Sequence, residues 1–327
     1  MRIATFNLED FPSDSPDAVS VEERIAALRP QMLRLDADVL CLQEVNADRL
    51  RPGLARGFHA LDRLFEGTPY ASYSWTATTI GSPPEFADKH NLVTLSRRPI
   101  RFTEQVRNSI VPEQHHRYVT AGAGADTTVG WDRPALYSVI DLDGDRRLHL
   151  VNLHLRAPLA VPIEGQKLRP FVWKSVGGWA EGFYLAGLRR SGQALEVRLL
   201  VERILADERD ALIAVCGDFN ADIDEVPVRI LRADREDTGN GALAAHMLVP
   251  VDRSLPASRR FSVLHAGRQL MLDHVLASRA LLALSRDVEV HNEALGDELV
   301  AFATGARGPD SFHAPVVAEF DLGGGGA

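Results

Sequence analysis

Residues 212–220 read LIAVCGDFN, an apolar run that ends abruptly in the turn-like tetrapeptide GDFN. A short apolar run bounded by turn residues predicts a buried β-strand. Asp218 and Asn220 are two residues apart, so on an extended chain their side chains point to the same side. A carboxylate and a carboxamide held together accept a proton from a water molecule and fix its orientation, which are the two tasks that hydrolysis requires. On its own, the tetrapeptide equally fits an ordinary exit from a strand into a turn.

Three other predicted strands end in polar residues in the same manner. The strands expected around residues 2–6, 38–43 and 148–155 lead to Asn7 with Glu9, to Gln43 with Glu44, and to His154. Strand ends gather at one edge of a sheet, so we expect these groups to converge. Glu44 is a hard oxygen ligand suited to Mg²⁺, which takes one or two carboxylates and keeps waters and substrate oxygens for its other positions. Taken alone, His154 fits a structural histidine and Glu44 fits the solvated end of a strand.

The remaining pattern predicts further strands and two main helices. The strands are expected at residues 92–96, 135–142, 271–277 and 316–322. The first helix follows a capping box at Ser20, bends at Pro30, and directs these apolar residues to the core: Ile25, Leu28, Met32 and Leu33. The second covers residues 188–207 and buries these residues: Leu195, Leu199, Leu200, Ile204 and Leu205. Three glycines just before it argue against a longer continuous helix: Gly177, Gly178 and Gly182.

Composition bounds the class of protein. The chain has 327 residues, of which 45% are hydrophobic and 25% charged, values that exclude a disordered or fibrous protein. We expect one domain over residues 1–322 and a flexible glycine-rich tail at 323–327. The net charge of −9 argues against sequence-indifferent nucleic-acid binding through a broad basic surface. A bound metal ion and local arginines can still make the electrostatic potential inside one cleft positive, so an anionic substrate is not excluded.

The two cysteines and the N-terminus bear on the compartment. Cys41 and Cys216 each lie inside an apolar run, as small core residues of a protein in a reducing compartment do. The first residues do not fit a secretory signal, and no apolar run is long enough to span a bilayer. We therefore expect a cytoplasmic protein with no stable membrane association.

Seven ordered segments together resemble the endonuclease/exonuclease/phosphatase superfamily. They are TFN (5–7), LQE (42–44), LSRRPI (95–100), VNLHL (151–155), GDFN (217–220), LDHV (272–275) and SFHAPV (311–316). The group includes pancreatic-type deoxyribonucleases, abasic-site endonucleases, inositol polyphosphate 5-phosphatases, neutral sphingomyelinases and deadenylases. The resemblance implies an α+β fold, a four-layer αββα sandwich in which two mixed β-sheets pack face to face with helices outside.

The same resemblance implies the catalytic residues. Asp218 would orient or deprotonate the attacking water, and Asn220 would position the phosphate and the nucleophile. His154 and His313 would contact the non-bridging oxygens. Asp273 would hydrogen-bond His313, fix its tautomer and raise its basicity.

The implied metal site holds Mg²⁺ or Mn²⁺ and departs from the family pattern at one position. Asn7 and Glu44 would help to hold the ion, and Glu9 matches a place where some relatives have another acidic residue. The family usually ends in Ser-Asp-His-x-Pro, whereas Phe312 stands here in place of the aspartate that often supports the metal. Either metal affinity is reduced, or Asp310 or Glu9 supplies the missing carboxylate.

Two long irregular stretches, residues 104–133 and 156–187, interrupt the predicted core, and loops of this length are often functional. The first contains three arginines and two histidines and fits either a loop that binds phosphate or a solvated surface loop. The second concentrates aromatic residues between 171 and 184. We expect them to fold over the sandwich as a satellite core, the alternative being an exposed platform for bases or lipid. The candidate substrate-binding residues are Arg117, Arg133, Asn91 and Trp173.

Together these residues predict a divalent-metal-dependent phosphoester hydrolase in which a water activated at Asp218 attacks in line. A nuclease acting on DNA or RNA is the first expectation. The alternatives are a small-molecule or lipid phosphatase or phosphodiesterase, and a catalytically weakened binding protein on the same fold. Oligomeric state stays open.

Overall fold

Two six-stranded sheets carry most of the residues singled out above. The computed structural model describes residues 1–15, 18–51, 53–122, 124–233, 241–305 and 308–323. The predicted flexible tail therefore lies outside the described residues from position 324 onwards. The single-domain organisation of residues 1–322 stays a prediction.

The strands and helices have the following bounds. The strands are β1 Arg2–Phe11, β2 Val39–Val45, β3 Ser74–Ala77, β4 Asn91–Ser96, β5 Ile100–Val106, β6 Gln114–Arg117, β7 Asp126–Val129, β8 Ala135–Asp141, β9 Arg147–His154, β10 Lys167–Arg169, β11 Val172–Trp173, β12 Leu212–Asp218, β13 Val249–Pro250, β14 Val263–His265, β15 Arg268–Leu270, β16 Asp273–Ala277, β17 Ser285–Val290 and β18 Val316–Phe320. The helices are α1 Val21–Leu35, α2 His59–Phe65, α3 Val176–Asp207, α4 Val226–Arg232, α5 Arg279–Leu282 and α6 Glu298–Thr304.

Both large sheets are mixed and are built alike. The first has the strand order β17-β18-β1-β2-β4-β3, and the second has the order β13-β16-β12-β9-β8-β5. A parallel pair lies at the centre of each, β1 with β2 and β9 with β12. The flanking strands pair antiparallel. Three two-stranded ribbons, β6–β7, β10–β11 and β14–β15, complete the strand pairing of the described chain.

Alternating side chains divide the core into three apolar layers. Phe6 and Leu8 of β1 pack with α1 and α2, whereas Ile3 of the same strand faces the second sheet. On β12, Val215 packs with α3 and α4, whereas Cys216 joins Ile3 between the sheets. The resulting order of helix, sheet, sheet and helix confirms the α+β four-layer αββα sandwich.

The face between the sheets turns polar towards one end. Along β9 the inward residues are Leu148, Leu150, Asn152 and His154, and along β12 the same period of two ends in Asp218. Hence the strand period itself carries charged side chains to one end of the space between the sheets.

A layer of neutral amides lies between the apolar and the charged parts of this space. Gln43 of the first sheet donates from Nε2 to Oδ1 of Asn152 on the second, over 2.8 Å. Asn152 donates in turn to the carbonyl of Val93. Gln43 and Asn152 are fully buried, so these bonds satisfy groups that would otherwise be costly to desolvate.

Helix α1 begins with the predicted capping box at Ser20 and Glu23. The prediction for Leu33 is wrong, because its side chain is 47% exposed. The buried residues of α1 are Ile25, Leu28, Met32 and Leu35, which recur at the 3.6-residue period. Leu33, next to Met32, is turned about 100° away from that stripe.

Helix α3 is longer than predicted, since it runs without interruption from Val176 to Asp207. Its glycines allow close packing instead of ending the helix: a Cβ at Gly182 would lie 2.4 Å from the Val161 carbonyl oxygen. The predicted burial of Leu195 and Leu199 is also wrong, because they are 41% and 36% exposed. The buried stripe of the C-terminal half instead contains Val197, Leu200, Val201, Ile204 and Leu205.

The first insertion is tied to α3 by a buried carboxylate that the sequence did not reveal. Glu196 is fully buried and accepts hydrogen bonds from the backbone of Asn108, Ile110 and Val111, and from Nε1 of Trp131. These four donors account for its burial, because a charged group is stable inside a protein when hydrogen bonds replace its hydration. None of the helices within the described ranges is long and apolar enough to cross a membrane.

Candidate active site

Polar strand ends from both sheets meet in one cluster. Asn7 donates from Nδ2 to Asp218 Oδ2 over 3.0 Å and lies 3.5 Å from Glu44 Oε1. His154 Nε2 is 3.2 Å from Asp218 Oδ2 and 3.7 Å from Glu44 Oε1. Asn7 and Glu44 belong to the first sheet and the other two to the second, so the structure brings together the four strand ends that the sequence singled out.

Asp218 is buried and held by several donors. Asn220 donates to it twice, from its backbone N–H over 2.7 Å and from Nδ2 over 2.9 Å. Burial alone would favour the neutral acid, but the charge of His313 and the hydrogen bonds from His154 and Asn220 outweigh it. The pKa of Asp218 is therefore held well below its usual range. The carboxylate is ionised at neutral pH.

Gly217 explains why the tetrapeptide starts with glycine. Its φ is +145°, and a Cβ there would lie 1.8 Å from the Leu153 carbonyl oxygen of β9. Strands β9 and β12 pair at this point, with Gly217 opposite Leu153 and Asp218 opposite His154. Only a residue without a side chain permits this close pairing, which sets Asp218 against His154.

His313 forms the second part of the cluster together with Asp273. His313 Nδ1 lies 2.8 Å from Asp273 Oδ2, which leaves Nε2 as the ring nitrogen that can meet a ligand. Burial acts to lower the pKa of His313, but the charges of Asp273 and Asp218 raise it well above its usual value. Burial, reinforced by the charge of Asp218, raises the pKa of Asp273. One ligand atom from each of Asp218, Asp273 and His313 lies within 4.8 Å of the others.

Glu9 lies next to Phe312, the residue that replaces the usual aspartate of the family. Its Oε2 accepts a hydrogen bond from the backbone N–H of Phe312 over 2.8 Å. Burial, with the neighbouring charge of Glu44, raises the pKa of Glu9. Asp310, in contrast, is exposed and accepts a hydrogen bond from Gln31 on α1. Glu9 therefore bonds the backbone of Phe312, whereas the carboxylate of Asp310, which lines the same cavity, bonds Gln31.

The donor set fits a hard divalent cation. The charge of Glu44 contributes to the raised pKa of Glu9, and the charge of Asp218 contributes to the raised pKa of Asp273. Carboxylates that converge in this way repel one another unless a cation or proton lies among them. Carboxylate and amide oxygens with one imidazole are ligands that suit Mg²⁺ or Mn²⁺.

Strained backbone also concentrates here. Five non-glycine residues of the cluster and its rim have positive φ values between 47° and 60°, namely Glu9, Asp10, Glu44, His90 and Asn220. Each such residue costs of order 1 kcal/mol or more and persists where the surroundings over-determine it, as at active sites. Arg24 of α1 contributes by donating to the backbone carbonyls of Leu8 and Glu9.

Two residues at this site were missed by the sequence reasoning. His90 Nδ1 is 3.8 Å from Glu44 Oε2, and its ring centroid is 6.4 Å from that of His154. Arg190 of α3 donates to the Asn220 carbonyl over 2.8 Å. His90 directly precedes β4, whose start lies beside the end of β2 because the two strands are antiparallel, so a polar residue before a strand was the signal that could have found it. Arg190 lies inside a helix whose pattern indicates only packing, so no local signal marks it.

Among the predicted substrate-binding residues, the structure brings Arg133 beside the cluster. It lines a cavity of about 300 Å³ that His90 shares. Its Nη1 is buried and has no hydrogen-bond partner in the part of the chain that the structure describes. Burial lowers the pKa of Arg133, and the charges of Glu44 and Asp218 oppose this. A buried guanidinium with an uncommitted donor is suited to an anionic ligand.

Asn91, Arg117 and Trp173 are not placed in the cluster. The buried amide of Asn91 is used on the backbone of Val45 and Ala87, so it holds the turn before β4. Arg117 is exposed on ribbon β6–β7. Trp173 packs its ring against Gly182 of α3.

The family model for the endonuclease/exonuclease/phosphatase family matches residues 4–299. The chain belongs to this family. As the family name states, it groups nucleases and phosphatases, so the coarse class is that of a phosphoester hydrolase. No functionally curated protein matches the chain in sequence.

Solved structures of the endonuclease/exonuclease/phosphatase fold superpose on nearly the whole chain. An AP endonuclease from Archaeoglobus fulgidus has 14% identity and a TM-score of 0.54, with 98% of this chain and 100% of that one covered. A 3′ phosphatase from Neisseria bound to a product DNA hairpin has 18% identity and a TM-score of 0.52, with the same coverage. An endonuclease/exonuclease/phosphatase from Beutenbergia cavernae has 19% identity and a TM-score of 0.54, with 99% and 72% covered. At these identities the likeness shows the fold alone.

Proposed function

We propose that this chain is a divalent-metal-dependent phosphodiester hydrolase whose first substrate class is nucleic acid. One observation carries the proposal: an ionised, buried Asp218 is fixed by donors from both sheets and lies within 4.8 Å of the His313–Asp273 pair. An oriented anion beside an oriented cation is the arrangement that in-line attack of water on a phosphoester requires.

Asp218 orients the attacking water in this proposal. Its charge persists at neutral pH because its pKa is depressed. Asn220 and Asn7 fix the carboxylate by donating to it, so the water meets an acceptor of defined direction. Such positioning lowers the entropic part of the barrier.

His313 stabilises the charge that develops on the non-bridging oxygens. Its raised pKa keeps the ring protonated at neutral pH, and the Asp273 bond at Nδ1 directs the Nε2 proton to the substrate. Preorganised donors of this kind account for a large part of enzymatic rate enhancement. His154, whose Nε2 lies 3.2 Å from Asp218 Oδ2, would contact the same phosphate.

Glu44, Asn7 and Glu9 would hold Mg²⁺ or Mn²⁺. When bound, the ion would neutralise charge on the phosphate and polarise it towards attack. Calorimetric titration with Mn²⁺ tests the ligands. We expect Glu9→Gln to weaken binding about tenfold, and Phe312→Asp to restore affinity in that background while adding little to the wild type. Unchanged affinity in Glu9→Gln would refute the role given to Glu9.

The basic cavity beside the cluster supports a substrate with charge beyond the scissile group. Arg133 offers an uncommitted buried donor there, and His90 links the cavity to Glu44. A nucleic-acid strand supplies neighbouring phosphates that fit this requirement. Two buried free thiols support the cytoplasm as the compartment.

Nicking of supercoiled plasmid with Mn²⁺ or Mg²⁺ tests the activity. We expect nicking that chelator abolishes, that Asp218→Asn loses, and that the exposed control Asp224→Asn retains. Hydrolysis of bis(p-nitrophenyl) phosphate without nicking would replace nucleic acid by a small phosphodiester. Absence of both activities in the metal-loaded wild type would refute the hydrolase proposal.

A further inference from the structure

One part of the surface is apolar, and three segments contribute to it. We call it the apolar platform, and its members are Val119 (84% exposed), Leu168 (67%), Phe171 (86%), Val176 (81%), Trp179 (44%) and Phe183 (45%). The expectation of an aromatic satellite core is wrong for Phe171, Trp179, Phe183 and Tyr184, which face solvent, whereas Trp173 is half-buried against Gly182. Single exposed apolar residues are ordinary, but a contiguous group marks an interaction surface.

The segments that carry the platform are fixed to one another. Glu181 of α3 accepts hydrogen bonds from the backbone of Val119 over 2.6 Å and of Thr120 over 2.8 Å. Gln166, just before β10, donates to the Thr120 carbonyl and accepts from the Ser175 hydroxyl over 2.8 Å. The ribbon tips and the start of α3 therefore form one surface with a defined shape.

Local packing holds the aromatic residues outward. Phe171 has a φ of +60° in the tight turn between β10 and β11, and this turn projects its ring into solvent. Trp179 and Phe183 stack on each other, with ring centroids 5.4 Å apart and an interplanar angle of 21°. The exposure is thus a property of the ordered structure.

Charge next to the β10–β11 turn is mainly positive, whereas the Phe183 end of the platform borders the exposed acids Asp224 and Glu225. Residues 166–187 contain three cations, Lys167, Arg169 and Lys174, and one acid, Glu181, whose carboxylate is used on the β6–β7 tip. The Lys167 ammonium lies 5.9 Å from the Phe171 ring centroid. The β10–β11 end of the platform thus combines exposed apolar side chains with cations, on a chain of net charge −9. It complements a surface that is apolar inside and anionic outside.

We propose that the apolar platform docks reversibly on an anionic lipid bilayer, with its side chains at the boundary between headgroups and acyl chains. Aliphatic Leu168 and Val176 have no ring faces on which bases could stack, which favours lipid over single-stranded nucleic acid. Interfacial docking needs apolar area plus basic residues and no spanning helix.

Docking would also set the position of the active site relative to the bilayer. Phe183 and Arg190 are seven residues apart on α3, which is about 10 Å along the helix axis. Arg190 holds the Asn220 carbonyl of the catalytic loop. The platform and the candidate site are therefore joined by one rigid element, although the docking proposal does not depend on catalysis.

Co-sedimentation with phosphatidylcholine vesicles, with and without phosphatidylglycerol, tests the proposal. We expect wild type to bind the phosphatidylglycerol vesicles. Phe171→Ser and Trp179→Ser should each lower the partition coefficient at least about tenfold, from the apolar area lost. Lys174→Ala should lower it about fivefold. The matched control Leu50→Ser, at a site 69% exposed and outside the platform, should not change it.

Three results would overturn the proposal. The first is absence of vesicle binding by wild type, and the second is equal loss in Leu50→Ser and Phe171→Ser. The third is a wild-type dimer, or a complex with single-stranded DNA, that Phe171→Ser dissolves while vesicle binding stays unaffected. Asp218→Asn separates docking from the proposed chemistry, because it should bind vesicles as wild type does whether or not the wild type hydrolyses phosphodiesters.

Discussion

Replacing Asp218 by asparagine keeps the size of the side chain but changes one acceptor into a donor. The present Oδ2 accepts from Asn7 Nδ2 over 3.0 Å and from Asn220 Nδ2 over 2.9 Å. A new amide nitrogen at that position would face both donors. If the new amide group is flipped, its nitrogen instead faces the Asn220 backbone N–H, which now donates to Oδ1 over 2.7 Å. No orientation satisfies all of these neighbours.

The expected cost follows from these contacts. The better rotamer leaves one buried donor unpaired, so we expect the free energy of unfolding to fall by about 1–3 kcal/mol, which is tolerable for a chain of this size. The charge that orients water is lost altogether. A positioned acid–base group contributes roughly 10²–10⁴ in rate, so we expect kcat to fall about 10³-fold, or roughly 4 kcal/mol of activation free energy.

Initial rates of plasmid nicking, or of bis(p-nitrophenyl) phosphate hydrolysis, measure this loss. Asp224→Asn controls for the loss of one negative charge near the same loop, because Asp224 is 83% exposed. Thermal unfolding verifies that both variants are folded. A rate for Asp218→Asn within tenfold of wild type, at equal metal affinity, would refute the role assigned to this carboxylate.

Three further outcomes follow from the structure. Gly217→Ala would place a methyl group 1.8 Å from the Leu153 carbonyl oxygen, so the urea unfolding midpoint should fall by the equivalent of about 4 kcal/mol; an unchanged midpoint would contradict the close strand pairing. Asp273→Asn removes the charge that raises the pKa of His313, so the alkaline limb of kcat/KM should move to lower pH; a pH–rate profile that does not shift counts against this pair. The third concerns Glu181. Burial acts to raise its pKa, but hydrogen bonds from Thr120 and its neighbours outweigh this and lower the pKa from 4.5 to about 2. Its stabilisation is present above the usual pKa and is lost as pH falls from about 4.5 towards 2, so unfolding midpoints of Glu181→Gln should depend less on pH in that window. Parallel curves for the two proteins would exclude this contribution.

The sequence was informative where a local period fixes side-chain direction. Apolar runs that turn polar at their last residue located Asn7, Glu44, His154 and Asp218. For Asn7, His154 and Asp218 a strand period of two continues the inward face into the site. Glu44 follows the inward Gln43 and is out of this period, with a φ of +54° at an irregularity of the strand pairing. The ordered family motifs added His313, which lies far from these residues in the chain and has no local signal of its own.

The sequence was uninformative where contacts between distant segments decide the outcome. The glycines at the start of α3 resemble helix breakers until a neighbouring segment packs onto them, as the Val161 carbonyl does at Gly182. The amide of Asn91 resembles a ligand-binding group until its partners on Val45 and Ala87 are known. The exposure of Phe171 depends on a turn conformation that residue identity alone does not specify.

The pairing of the last strand with the first has a consequence for biosynthesis. Strand β18 is hydrogen-bonded to β1 on one side and to β17 on the other, and His313 lies just before it. The contributing groups extend from Asn7 to His313, so the site cannot assemble while the chain is still emerging from the ribosome. The proposed activity should therefore arise only after residue 313 has been synthesised, and a polypeptide that ends before it would present the early strand ends without the imidazole of His313. The pairing of β18 with β1 thus determines when the proposed enzyme could first become active.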